Sequence, residues 1–207
     1  VPESLAVARV VDGAAVVAGD FRIDPGGHMR FAVFVAPGTG PRRVGRIVQR
    51  LCEIETYRAM SMLGLMRSRD LSGRLNALDP KLSALVSGLD SAEPAPEAAL
   101  HELLTISAEL ESLAVQFSFR FGATAAYEAI VTQRIEVLRE VRIEGRQTFG
   151  EFMMRRYDPA MRTVKSAESR LQAMAERAER AAELLRTRVD VERSAQNQRL
   201  LESMDRR

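Results

Sequence analysis

YDPAMRTVKSAESRLQAMAERAERAAELLRTRVDVERSAQNQRLLESMDRR, Tyr157 to Arg207, is the stretch that decides the fold. It holds no glycine, and its one proline, Pro159, follows Asp158. Aspartate caps helices and proline suits the first helical turn, so the pair predicts a helix start. The residues that follow are mostly Ala, Glu, Arg, Leu and Gln, all good helix formers. One helix from here to the end would be roughly 70 Å long at 1.5 Å per residue, more than a compact domain needs. Met161, Val164, Leu171, Ala175, Ala178, Ala182, Leu185 and Val189 fall near heptad positions. The alanines in the middle permit close helix approach but bury about 0.8 kcal/mol less per missing methylene. Past Val189 the seam turns polar at Glu192, Gln196 and Asn197. That is either a solvated helix end or a polar layer that fixes register or oligomer state. The sequence stops on Arg206 and Arg207 with no cap, as expected of a chain cut in mid-helix.

Working back from this helix, Thr148 and Glu151 make a capping box for a short helix through Tyr157. A fourth helix is read over Thr124 to Ile143, ended by Gly145. Before it, FSFRF (Phe117 to Phe121) alternates and Gly122 follows, which reads as a short strand or an irregular corner. A third helix runs from Glu97 to Phe117, with Leu100, Leu103, Ser107, Leu110, Ala114 and Phe117 in its seam. The polar turn DSAEPAP, Asp90 to Pro96, separates it from a second helix over Ser68 to Leu89. There Leu71, Leu75, Leu78, Leu82, Leu85 and Leu89 form an a/d seam, with Pro80 as a kink or restart. Two such helices on a short loop form an antiparallel hairpin. The first helix, Pro41 to Leu63 ending at Gly64, carries Val44, Ile47, Val48, Leu51, Ile54 and Tyr57 as its apolar stripe. Residues 5 to 35 read as three strands, with a hairpin signal at Asp12-Gly13 and a turn at DPGG, Asp24 to Gly27. The stripe of the first helix is the natural cover for that sheet.

The fold class is therefore α+β, mostly α. It combines a small antiparallel sheet of about three strands packed on a helix, an antiparallel helical hairpin and a very long, stalk-like C-terminal helix. Three parts of one continuous unit are expected: 1–65 (sheet and first helix), 66–145 (hairpin and following helix) and 146–207 (short helix into long helix). Apolar residues at 46%, few aromatics and no tryptophan fit helix-on-helix packing. A net charge of +2 does not by itself suggest nucleic acid. The lone Cys52 excludes an intrachain disulfide and fits a reducing compartment. The chain shows neither a signal-peptide pattern nor an apolar run near the ~20 residues of a membrane span, and it is read as soluble.

Nothing in the pattern carries catalysis, so no enzyme activity and no cofactor are expected. His28 and His101 are unpaired in sequence and read as structural or surface residues. Cys52, beside the apolar stripe, reads as a buried inert thiol. Glu55 and Arg58, three apart, read as an intrahelical salt bridge, with Glu53 beside them. GTGPRR, Gly38 to Arg43, is the most site-like motif. Glycines precede a helix N-terminus, and Arg42 and Arg43 stand in its first turn as anion-binding candidates. It lacks the lysine and spacing of a phosphate-binding P-loop, and an ordinary strand-to-helix connection is the simpler reading. Arg186, Arg188, Asp190 and Glu192 read as a solvated charged face or an interhelical ion-pair set.

GDFRID, MRF, RIVQRLCEIETYRAMSMLGL, FGATAAYEAIVTQRIEVLRE, EFMMRRYDPAMRT and LLRTRVDVERSAQNQRLLESMDRR together resemble a bacterial family of predicted membrane-anchored proteins of unknown function. The resemblance covers nearly the whole chain. It implies that this stretch begins roughly midway through a longer protein. That protein would continue into a segment rich in glutamine and arginine and then a pair of apolar segments. The chain is thus expected to be an internal fragment, anchored to the membrane by segments it lacks, on the cytoplasmic face of the bacterial inner membrane. The layout is similar to that of CorA-type magnesium transporters, an analogy of architecture alone.

Two functions follow from this resemblance. The first is a non-enzymatic scaffold that self-associates through its long helices, with Leu171, Ala175, Ala178, Ala182, Leu185 and Val189 as the oligomer seam. The second is a gating domain of a CorA-like channel, in which Asp190, Glu192, Glu202 and Asp205 would bind a divalent cation between subunits. No nucleic-acid partner is expected.

Overall fold

The computed structural model describes residues 4–88 and 95–205. Leu89, the turn residues 90–94, Arg206 and Arg207 lie outside the described residues, as does the side chain of Asp205. The elements in chain order are β1 (Ala6–Val10), β2 (Ala15–Ile23), β3 (Met29–Val35), α1 (Pro41–Ser87), α2 (Pro96–Glu136), β4 (Val141–Arg142), α3 (Phe149–Arg156) and α4 (Asp158–Asp205). The fold is mostly helical with a small antiparallel sheet, and α4 is its long C-terminal helix.

The sheet order is β3-β2-β1-β4, antiparallel throughout. The three strands read over residues 5 to 35 are present, and β4 adds a short fourth beside β1. Period-two alternation buries Ala6, Ala8 and Val10 and leaves Arg9 exposed. The β1–β2 hairpin turns at Asp12-Gly13 as the sequence predicts, but its backbone is unusual. Val11, Asp12 and Gly13 all have positive φ, at 52°, 55° and 82°. A β-branched residue there is strained. Val11 is held by its N–H, which donates to the Leu138 carbonyl at 2.7 Å, and by its buried side chain.

Between Gly19 and Ile23 the pairing of β2 with β3 slips, and Phe21 takes φ 53°. The slip turns Phe21 into an aromatic cluster. Its ring stacks on Phe152 at 4.1 Å between centroids and meets Phe149 and Phe31 edge-on at 5.3 and 5.7 Å. Gly19 makes room for this cluster, because a Cβ there would sit 2.6 Å from the Phe31 ring on the paired strand.

α1 corrects the sequence reading. A break at Gly64 between two helices was expected, yet the helix runs unbroken from Pro41 to Ser87 and passes through Pro80 as well. Gly64 is a packing residue. Its buried position faces Thr124 of α2, and a Cβ there would lie 2.8 Å from Thr124 Cγ2 and 3.0 Å from its Cβ. Along the first part of α1 the buried positions are Ile47, Leu51 and Ile54, which leaves Cys52 turned outward and exposed rather than buried.

α2 likewise joins what the sequence reading divided into two helices and a corner. FSFRF is helical, with Phe117 and Phe121 buried four residues apart and Phe119 79% exposed. The alternation of aromatics at 117, 119 and 121 mimics a strand, but only the spacing of four is used. Gly122 faces open space and interrupts nothing. The buried positions are Ala99, Leu103, Ile106, Leu110, Leu113 and Phe117, so Leu100, Ser107 and Ala114 of the expected seam sit half-buried beside it. The helix was expected to reach Ile143 and stops at Glu136 instead, for a reason that belongs to the site below.

The capping box is formed as read. Thr148 accepts from the Glu151 N–H and Glu151 accepts from the Thr148 N–H. Tyr157, with helical φ and ψ, is all that separates α3 from α4. Its hydroxyl donates to Ser61 Oγ at 2.8 Å in a buried contact, and Ser61 donates on to the Arg58 carbonyl. Burial raises the pKa of this phenol, against the Ser61 hydrogen bond. Asp158 lies in the first turn of α4, where its charge suits the helix dipole.

The chain divides into two compact units, Val1–Met66 with Arg120–Lys165, and Arg67–Phe119 with Ser166–Arg207. The first contains the sheet, the aromatic cluster and the Gly64–Thr124 contact. The elements of the second, among the described residues, are all helical, and its core is built from Leu71, Leu75, Leu82, Leu103, Leu110 and Leu185, with others of the same kind. Within it, α4 is keyed to α1 by polar contacts one heptad apart. Arg170 binds Asn76 and Asp79 at 2.7 and 2.9 Å, and Arg177 reaches Asp79 and Ser83 at 3.6 and 3.0 Å. Arg193 meets Glu97 in the first turn of α2.

Candidate functional site

The six residues 137–142, where α2 leaves off and β4 begins, organise the site. Arg139 takes φ 48°, the left-handed conformation that commonly ends a helix and that glycine usually fills. The last turn tightens first, with the Leu138 N–H on the Ile135 carbonyl and the Arg139 N–H on the Glu136 carbonyl. That is why the helix ends seven residues before the position expected from Gly145. Each residue in the segment then serves a different neighbour. The Val137 carbonyl accepts from Arg50 at 3.0 Å and the Leu138 carbonyl from the Val11 N–H. Arg139 pairs with Asp12 at 2.6 Å. Glu140 accepts from the Phe149 and Gly150 N–H groups at 2.8 and 2.9 Å. Val141 and Arg142 pair with β1.

Between this segment and the start of α1 lies a cleft of about 570 Å³, lined by Val11, Arg43, Arg46, Arg50, Glu136, Val137 and Arg139. Arg43, Arg46 and Arg50 are spaced three and four apart, so one face of α1 presents all three. Arg43 donates to the Val11 carbonyl at 2.8 Å and lies 3.5 Å from Asp12, which also holds Arg139. Among the described residues, three of the four non-glycine positions with positive φ, Val11, Asp12 and Arg139, therefore stand at or beside this cleft. Strain of this kind gathers at functional sites. The near-neutral charge of the chain conceals an uneven division. Residues 1–66 and 120–165 carry 17 arginines and lysines against 12 aspartates and glutamates, and the remainder carries 13 against 16. Chemically the cleft is suited to holding an anion by guanidinium forks.

Glu140, the next residue of the segment, caps the N-terminus of α3 through the Phe149 and Gly150 N–H groups. Burial pushes its carboxyl above the ordinary glutamate range, and the Gly150, Phe149 and Thr148 hydrogen bonds oppose that shift. A carboxyl raised by folding holds its proton more tightly in the native state. Its contribution to stability is present below the ordinary glutamate pKa and is lost as pH rises through the raised value. The unfolding free energy of the wild type minus that of Glu140→Gln should therefore fall as pH increases through this window, then level off. Urea melts at a series of pH values measure it; a difference that grows with pH would mean that the backbone N–H groups outweigh burial.

The residues singled out from the sequence fall in several places. Arg43 lines the cleft, while Arg42 beside it is exposed outside the lining. Leu171, Ala178, Ala182, Leu185 and Val189 are buried within the chain, and Ala175 is half-buried. Asp190 and Glu202 are exposed, and Glu192 accepts from Arg188 at 3.1 Å. His28 and His101 are exposed. Glu55 holds Arg58 through two hydrogen bonds of 2.6 and 2.8 Å, as the spacing predicts. Glu53 turns instead to Arg134 and Gln49, and its pKa is lowered chiefly by Gln49. Arg46, Arg50 and Arg139 were missed. The spacing of 43, 46 and 50 was legible, but Arg139 was hidden inside a helix that the sequence pattern continues to Ile143. A second cleft of about 570 Å³ gathers Arg142, Arg146, Arg155 and Arg156 around Glu151, which pairs with Arg142. Among the described residues no three His, Cys, Asp or Glu side chains form a metal-binding group, and no helix is long and apolar enough to cross a membrane.

No curated protein and no solved structure matches the chain. A family model does: the one described as Protein of unknown function (DUF3422) matches residues 1–207, and the chain accordingly belongs to that family.

Proposed function

We propose that the chain is a non-enzymatic helical scaffold, part of a membrane-anchored protein, that self-associates through the end of α4. The observation carrying this reading is the behaviour of α4 beyond Val189. The helix continues to Asp205, yet no side chain from Asp190 to Met204 is buried. Leu200, Leu201 and Met204 are 61%, 65% and 72% exposed. An isolated helix of about 15 residues is marginal in water, so packing is what normally sustains one. A second copy of the same helix supplies that packing and covers the three apolar side chains. The seam from Leu171 to Val189 is occupied inside a single chain, which leaves self-association to the residues after it. Membrane anchoring rests on the family resemblance and belongs to segments outside this stretch, with the scaffold on the cytoplasmic face.

Light scattering on the 207-residue chain tests self-association. The expected mass is at least twice 23.0 kDa, falling to 23.0 kDa when Leu200, Leu201 and Met204 are all replaced by glutamate. A wild-type mass of 23.0 kDa at every concentration would overturn the proposal.

A further inference from the structure

We infer that the cleft lined by Arg43, Arg46, Arg50 and Arg139 is a binding site for a phosphate-bearing anion. Like charges three and four apart on a helix repel, each pair costing a few tenths of a kcal/mol. Three arginines on one face of α1, with a fourth facing them from the end of α2, therefore need compensation. The cleft supplies only part of it. Glu136 is the single carboxylate in the lining, and Asp12 at the edge is shared between Arg43 and Arg139. Four guanidinium groups face two carboxylates, so an excess of two positive charges remains.

The arginines are also partly preset. Arg43 and Arg50 are each anchored through one nitrogen to a backbone carbonyl, those of Val11 and Val137. That limits the side-chain freedom lost when a ligand arrives. Arg46 stands between them in sequence and makes no hydrogen bond or ion pair among the described residues. Planar forks converging from two walls match the several oxygens of a phosphoryl group. A volume of about 570 Å³ lies within the range of small-molecule sites and exceeds what a lone inorganic phosphate fills. A phosphate ester or a diphosphate fits both the charge and the space. The phosphate could belong to a free small molecule or to a lipid headgroup, and the experiment separates these sources.

Isothermal titration of the full 207-residue chain with inorganic pyrophosphate at low salt is the first arm. Sedimentation with phosphatidylglycerol vesicles, against phosphatidylcholine vesicles, is the second. Arg46→Ala is the informative variant because the Arg46 side chain has no hydrogen-bond or ion-pair partner among the described residues, so its circular dichroism and melting temperature should match the wild type. Pyrophosphate affinity should fall about tenfold in Arg46→Ala and vanish in Arg46→Glu, while Arg155→Ala, in the second cleft, leaves it unchanged. Selective sedimentation with phosphatidylglycerol that also needs Arg46, without pyrophosphate binding, would support the site and assign it to a lipid phosphate. Binding in neither arm overturns the inference. So does binding that Arg155→Ala weakens as much as Arg46→Ala, since that is diffuse charge and not a site.

Discussion

Phe149→Ala should lower the unfolding free energy by about 4 kcal/mol, the middle of the range for a fully buried aromatic. Phe149 is 0% exposed. Its ring contacts Phe21 and Phe31, and its backbone N–H is tied to Glu140. Truncation leaves a cavity that its neighbours cannot easily fill. Phe21 is fixed by a left-handed backbone and stacked on Phe152, and Gly19, next to Phe31, has no side chain to offer. The substitution keeps the peptide N–H, so the loss reports packing and not the cap. Urea unfolding measures it. A loss under about 1.5 kcal/mol would mean that the cluster is loosely packed and able to collapse.

Gly64→Val should cost about 3 kcal/mol, although valine is the better helix former. The new Cβ meets both the Cγ2 and the Cβ of Thr124, and rotating Thr124 about χ1 cannot move its Cβ. Thr124 is itself held by its hydroxyl, which donates to the Arg120 carbonyl at 2.8 Å. The clash therefore separates the two backbones or unwinds one of them. A double-mutant cycle identifies the cause. Gly64→Ala should be markedly less harmful in a Thr124→Ala background, where Oγ1 and Cγ2 are gone, with a coupling of about 1 kcal/mol or more. Additive effects would show that Gly64 is needed for something other than this contact.

Both predictions concern residues whose roles the sequence only half reveals. Most of the helical stretches, though not their joins, the three sheet strands, the capping box and the long final helix were legible, because hydrophobic period and capping chemistry are local signals. Gly64 and Gly122 misled for one reason: each punctuates a chain locally, yet tertiary packing can carry a helix straight through. Arg139 misled in the opposite way. It ends a helix in a conformation that glycine normally signals, so only the structure exposes it. The cleft was legible to the extent of Arg43 and invisible beyond it. Arg139 lies 96 positions further along and reaches the site through the pairing of β4 with β1.

The segment 137–142 has a further consequence, which concerns length and not composition. Its successive residues face a guanidinium, a hairpin turn, a cleft and a helix terminus, and then enter a strand. Many of these contacts use the main chain, so substitutions there keep a good share of them. Removing a single residue ahead of Arg139 would hand every later one its neighbour's task, with an acidic side chain delivered to the cleft and a valine to the start of α3. Homologous sequences should therefore vary in letter along this stretch while keeping its count, and insertions should gather elsewhere.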